Sequence, residues 1–234
     1  TALLTQLSQG PEAGTRAAPR PTDLLAALEQ APRGLRIGLL ETNLFGTGVH
    51  PECLEAVRKA ATLCAGLGHH VEPITLSELP FLEMFGGMGI MTGTGLLVSV
   101  QAREQQLGRA AREDELEPIN WAAMQKAKSY TAAQLYGARA IFDQGGRIFD
   151  QVFERYDLIL SPTTAGLPPK IGELALDQAF DDYVKHAMLG PAFTAMFNMS
   201  GHPAMSVPLH WSAEGLPIGV QFAAPFGAEA RLIA

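Results

Sequence analysis

The sequence offers little that would tie it to a metal, a nucleotide or a nucleic acid. It has two cysteines, Cys53 and Cys64, with no Cys-x-x-Cys and no His-x-x-x-His. His69 and His70 are adjacent, so their side chains diverge. Both cysteines fall within one predicted helix, where about 1.5 Å of rise per residue separates them by roughly 16 Å. A disulfide needs Cα atoms within about 7 Å, so these two cannot bridge. Buried free thiols suit a reducing cytoplasm. Basic residues are also few: 17 Lys and Arg stand against 24 Asp and Glu, for a net charge of −7. They are scattered along the chain, and a phosphate-binding surface would need them clustered. Neither a metal nor a cofactor is expected, and nucleic acid is not expected as a partner.

Three further absences narrow the chemistry. No G-x-S-x-G occurs, so a nucleophile elbow of that type is excluded. Gly46-Thr47-Gly48 follows a predicted strand, but position 51 is Pro and the return strand (HHVEPITL) carries no acidic residue at its end. The dinucleotide fingerprint is therefore incomplete, and the segment reads as a plain loop. Long apolar runs without interruption are missing as well. The uncharged stretch 84–101 holds five glycines. It is marginal in length for a membrane span and is expected to be a buried, Gly-rich segment.

What is present fits a globular α/β chain. Apolar residues make up 47% of the 234 and charged residues 18%, enough to bury a core. The chain opens with an apolar run through Ala2, Leu3, Leu4 and Leu7 that reads as a helix end closed near Gly10-Pro11, and it stops at Ala234 within an apparent helix. Both features read as a chain cut at its ends. Residues 15–21 form an Ala/Pro/Arg linker. A short helix follows, with Thr22 or Asp23 as its cap. An apolar strand at 35–40, a helix at 51–67 and a return strand at 70–76 predict a parallel pair. Pro51 opens that helix, Gly68 closes it, and its apolar stripe is Cys53, Val57, Ala60, Cys64 and Leu67. A polar helix at 98–109, an acidic solvated stretch at 112–117 and a short helix at 120–127 come next.

Residues 130–156 carry the clearest helical signal. Thr131 and Gln134 form a capping box, and Leu135, Ala138, Phe142, Gly145, Phe149, Val152 and Tyr156 step by three and four. Gly145-Gly146 weakens the middle by up to about 1 kcal/mol per Gly, which close approach of another backbone would explain. A fully apolar strand at 157–161 ends at Pro162. A Pro/Gly loop spans 163–172, helices are expected at 176–188 and 191–197, and strands at 203–209 and 217–224 form a hairpin around a turn at 213–215.

Ser200, Gly201 and His202 read as a helix cap, since neighbours in a turn seldom give a serine and its base the geometry of a nucleophile. Asp181-Asp182 reads as solvated surface. Ser161, Thr163 and Thr164 sit at the carboxyl end of a buried strand, where ligands of α/β sheets gather, and are candidate pocket-lining hydroxyls.

Three stretches together resemble one family: 156–170 (YDLILSPTTAGLPPK), 191–208 (PAFTAMFNMSGHPAMSVP) and 214–229 (EGLPIGVQFAAPFGAE). They are similar to the C-terminal part of amidase signature enzymes, and within these to bacterial amidases resembling 6-aminohexanoate-cyclic-dimer hydrolase. The resemblance covers essentially the whole chain. It implies an α/β fold, a mixed sheet flanked by helices, with 1–234 the C-terminal portion of an amidase signature domain that lacks the N-terminal catalytic portion and the last C-terminal helix. The family uses a serine nucleophile, a bridging serine and a lysine, with backbone amides holding the oxyanion. The Gly/Ser-rich signature that carries the serines is not in this sequence, so no residue here inherits a catalytic role. What the resemblance does carry over is pocket wall. The segment 81–94 matches the variable region bordering the acyl side, with Met84, Phe85 and Met88 as soft apolar groups. Thr163, Phe193 and Asn198 match motif positions near the strand ends. The implied partners are a small amide substrate and the N-terminal half of the same protein, with no membrane. Exposed apolar surface and open strand edges imply self-association. The alternative functions are a non-catalytic binding module and one component of an amidotransferase.

Overall fold

The structure is a computed structural model that describes residues 1–8 and 23–234. The expected linker at 15–21, the closure at Gly10-Pro11 and the Thr22 cap lie outside the described residues. Asp23 does cap its helix, accepting hydrogen bonds from the Leu25 and Ala26 amides.

One mixed sheet of five strands organises the chain. The strands are β1 (Arg36–Leu39), β2 (His70–Pro73), β3 (Leu158–Pro162), β4 (Ala204–Trp211) and β5 (Pro217–Ala223), in the spatial order β2-β1-β3-β5-β4. β1 runs parallel to β2 and β3, whereas β5 is antiparallel to β3 and β4. The parallel pair arises as expected, from a strand, a crossover helix and a strand. The antiparallel pair is the predicted hairpin, turned at Gly215 with φ 78°. β3 lies in the middle and is buried along its whole length.

Helices cover both faces of the sheet. On one side lies α3 (Pro51–Gly66), after α1 (Ala2–Ser8) and α2 (Leu24–Ala27) in the chain. The His50 ring accepts the Glu52 amide at its start, and Gly68 takes φ 90° beyond its end. Cys53, Val57, Ala60 and Cys64 are buried against Ile37, Leu158, Leu160 and Val220. Leu67 departs from the expected stripe and is 63% exposed, because it is the capping residue where the chain leaves the helix.

The other face is covered by α4 (Phe81–Leu107), α6 (Ala132–Arg155) and α8 (Ala195–Ser200), while α5 (Pro118–Ala127) braces α4 and α7 (Phe180–Ala187) follows the Pro/Gly loop. Residues 191–194 form a turn, so α8 starts later than Pro191. The last helix, α9 (Glu229–Ile233), is short. The capping box of α6 is present, with reciprocal Thr131 and Gln134 hydrogen bonds. Arg109 and Glu115 pair beside a short turn at Glu113–Glu115, and the guanidinium holds the Glu115 carboxyl down at about 2.

α4 corrects two expectations. The glycine-rich stretch and the polar helix after it are a single 27-residue helix, and most of its apolar part is not buried. Its glycines do not break it. Thr92, Thr94 and Ser99 return hydroxyl bonds to carbonyls one turn back, and Gly108 terminates it in a left-handed conformation. By length and composition α4 could cross a membrane. Here its first turn is core, through Phe81 and Met84, and it packs along α5 and α6. Glycines let α4 and α6 close on each other. A Cβ at Gly87 would lie 3.3 Å from the Ala138 Cα. At Gly145 the close neighbour is the Met84 side chain and not a backbone: an added Cβ would sit 2.6 Å from its sulfur. Gly146 does face a backbone atom, the Ser200 carbonyl oxygen, at 3.5 Å.

β2 and β4 are the outer strands, and β4 leaves Leu209 and Trp211 exposed.

Candidate functional site

Alternation along the strands points Ser161 and Thr163 of the β3 end, Gly219 and Gln221 of β5, and Ser206 of β4 to the same face of the sheet. The register sets Gln221 opposite both Ser161 and Ser206. Gln221 is buried. Its amide nitrogen donates to the Ser161 hydroxyl at 3.1 Å and to the Phe193 carbonyl at 3.0 Å, and Ser161 in turn donates to the Pro162 carbonyl. This satisfies the polar groups that the carboxyl end of β3 would otherwise leave unpaired.

One residue pair further along, Thr163 Oγ1 and Ser206 Oγ meet at 2.7 Å. They come from strands that are not neighbours, and β5 passes between them. They can meet because position 219 has no side chain. A Cβ there would lie 2.5 Å from Ser206 Oγ and 3.0 Å from Thr163 Oγ1. The glycine is required for space and not for conformation, since its φ is not positive.

These three residues line a cavity of about 440 Å³ beyond the carboxyl end of β3. Leu167, Leu189 and Ile218 form apolar walls, and Glu173 and His186 also border it. Thr164 lines it too, its hydroxyl donating to the Gly166 carbonyl at 2.8 Å. A larger and more open groove of about 770 Å³ lies on the opposite side, between the end of α3 and α9. It lacks a comparable polar pair.

The structure distributes the sequence-derived site residues among three places. Thr163 lines the cavity. Phe193 is fully buried behind it and lends its carbonyl to Gln221. Met84 is fully buried, and Phe85 and Met88 are partly buried, in the same core as Phe193. Phe85 meets Phe45 edge-on at 4.7 Å. Asn198 lies on the exposed side of α8, apart from the others. The loop at Gly46 is held by Asn43, whose side chain accepts the Phe45 amide and donates to Thr47.

One constellation runs against expectation. Ser200, Gly201 and His202 do cap α8, with Gly201 left-handed at φ 80°. Yet the His202 ring also lies 3.1 Å from the Ser200 hydroxyl and 3.2 Å from Asp150 on α6, an acid, imidazole and hydroxyl in series. Asp150 is 52 positions away in sequence, so no local signal pointed to it. The ring is stacked on Phe153 at 5.3 Å and packed near Phe149. Burial pushes its pKa down, against the opposing pull of Asp150. Ser200 is in the last turn of its helix, where the backbone presents carbonyls and not the N–H groups an oxyanion needs. The series joins α6 to the start of β4 and is built as a clamp.

The Amidase family matches residues 1–233. The chain belongs to the amidase family. Over 220 residues it is 30% identical to 6-aminohexanoate-cyclic-dimer hydrolase of Paenarthrobacter ureafaciens, covering 88% of this chain and 43% of that enzyme. A solved structure of 6-aminohexanoate cyclic dimer hydrolase superimposes with a TM-score of 0.87 at 28% identity, over 99% of this chain and 50% of the other. A glutamyl-tRNA(Gln) amidotransferase component from Lachnospira eligens is 27% identical over 216 residues, covering 83% of this chain and 43% of that protein. The chain spans about half the length of the curated relatives it matches. In this chain the three stretches that carry the resemblance converge on one spot. Thr163 comes from the first, Ser206 and Phe193 from the second, and Gly219 and Gln221 from the third.

Proposed function

We propose that this chain is the C-terminal portion of a serine amidase that hydrolyses carbon–nitrogen amide bonds, contributing sheet core and substrate-pocket wall. In this reading the serine nucleophile, its bridging serine and the lysine belong to the rest of the protein. The observation that carries it is the cavity at the end of β3, built where the family's three stretches meet. Its position outside a strand's carboxyl end and its apolar walls with a small polar floor suit a small amide. Phe193 backs this cavity, and Met84, Phe85 and Met88 lie in the core that Phe193 joins, so their proposed part on the acyl side is to support the wall from behind; Asn198 lies apart from it on the exposed side of α8. The wall's task is to hold the amide against the nucleophile and keep bulk water away, which is the positional part of acyl-transfer catalysis.

The proposed partners are a small amide and the N-terminal half; neither nucleic acid nor a membrane is part of this reading. β4, with Leu209 and Trp211 exposed, is a surface through which the separate chain self-associates. Two buried free thiols favour the cytoplasm. The test is to assay the chain alone and combined with an N-terminal amidase half, using simple aliphatic and aryl amides. Turnover is expected from the combination only. Hydrolysis by the chain alone above a heat-denatured control would refute the assignment of the chemistry elsewhere.

A second reading rests on the 27% identity to the amidotransferase component. Glutamine-dependent ammonia release by the combined halves, without hydrolysis of other amides, would favour it.

A further inference from the structure

We infer that the Thr163–Ser206 hydroxyl pair is a neutral anchor that selects an uncharged amide-bearing ligand over a carboxylate or an ammonium of the same length. This rests on the reading of the cavity as a substrate wall, and it adds what that wall discriminates.

The argument is one of donors and acceptors. Each hydroxyl offers one proton and two lone pairs. Their mutual bond at 2.7 Å uses one proton and one lone pair. One O–H and several lone pairs remain, facing the cavity. An amide needs a donor for its carbonyl and an acceptor for its N–H, which is what remains. A carboxylate is acceptor-only and calls for two or more donors, best from a cation. An ammonium brings three donors and no acceptor. Neither ion meets its full complement of partners at the pair: a carboxylate finds a single O–H, and an ammonium leaves that O–H unpaired. The charged side chains that border the cavity, Glu173 and His186, stand on the loop after β3 and on α7, not on the sheet. Glu173 already accepts the Lys170 amide at 2.8 Å. Leu167, Leu189 and Ile218 supply apolar contact for the aliphatic remainder.

The pair is fixed in place by the strands. The Thr163 amide donates to the Gly219 carbonyl at 3.3 Å, and Ser206 is held by the β4–β5 ladder. Thr163 is β-branched and stiff at χ1. Gly219 keeps the space between them open, so it acts as a positioning residue.

The test uses the chain itself. Hexanamide, hexanoate and hexylammonium are titrated separately at neutral pH, followed by amide chemical shifts and calorimetry. Hexanamide is expected to bind at least about tenfold more tightly than either ion, with shifts centred on Thr163, Ser206 and Gly219. Thr163→Val combined with Ser206→Ala is expected to weaken hexanamide about tenfold, the equivalent of one hydrogen bond at the upper end of its net range, and to abolish the preference. Thr163→Ser keeps a hydroxyl and should restore it. Gly219→Ala should separate the pair and reproduce the loss. Unchanged thermal unfolding of the variants establishes that they fold. If no probe binds, the cavity is not a substrate wall and both readings fall. If probes bind without discrimination, if an ion binds more tightly, or if the variants keep the preference, the anchor is refuted while the cavity stands.

Discussion

Replacing Gly145 by Ala sets two effects of known size against each other. In the middle of α6, alanine should stabilise the helix by about 0.8–1 kcal/mol relative to glycine. The same methyl would lie 2.6 Å from the Met84 sulfur, far inside contact distance. Met84 is the flexible partner, but it is fully buried between α4, α6 and α8, so any new rotamer must displace other core atoms. Overpacking of this kind costs about 1–3 kcal/mol. Gly145→Ala is therefore expected to be net destabilising by up to about 2 kcal/mol. Met84→Ala alone should cost about 2–5 kcal/mol. In that background the clash is gone, and Gly145→Ala should become stabilising by about 1 kcal/mol. Equilibrium urea unfolding of the four proteins, read by circular dichroism with m-values compared, gives the coupling directly. A coupling below about 0.5 kcal/mol, or a Gly145→Ala effect of the same sign in both backgrounds, would refute the account of why a glycine occupies this position. Gly95→Ala is the control: no atom lies within 4 Å of its added Cβ, and it should stabilise in either background.

Stability should also depend on pH through His202. Burial lowers its folded-state pKa from the ordinary 6.5, so folding favours the neutral ring. That contribution is fully present above 6.5 and is lost as the pH falls through the folded value; the melting temperature should drop on mild acidification, and His202→Gln should remove this upper limb. Asp157, held below its ordinary 3.8 chiefly by Arg36, adds a second loss at lower pH. Thr131→Ala deletes half of a capping box and should cost about 1 kcal/mol in urea unfolding. Cys53 and Cys64 are buried, and burial pushes both thiols up, so iodoacetamide should label neither in the native state at neutral pH and both after unfolding.

Local signals carried most of the fold. Pro51 and Gly68 bracket α3, the Thr131 and Gln134 pair starts α6, and the hairpin spacing of 203–209 and 217–224 gives β4 and β5. The unbroken α4 was hidden because its five glycines look like punctuation. Their cost of about 1 kcal/mol each is offset where packing on α6 needs small residues, and hydroxyls rebond the backbone elsewhere. Leu67 fits the helical stripe by spacing alone, but the helix ends one residue before it. At the site, Thr163 was legible from its place after a buried strand. Its partner was not, because Ser206 reaches it only through a five-stranded order and a register that no single segment encodes. The contact between Asp150 and His202 was hidden because 52 positions separate them and only the packing of α6 brings them together.

The glycine gap at position 219 ties the site to the order in which the sheet closes. β4 and β5 are neighbours in sequence and can pair early as a hairpin, but the floor is complete only once β5 has docked on β3, about sixty residues upstream. Until then neither hydroxyl has its partner. The floor of the cavity is thus made only when the hairpin docks on β3, and it is lost when the hairpin lifts. Hydrogen-exchange protection of the Thr163 amide, bonded to the Gly219 carbonyl, would report on the integrity of the site even where the rest of the sheet stays folded.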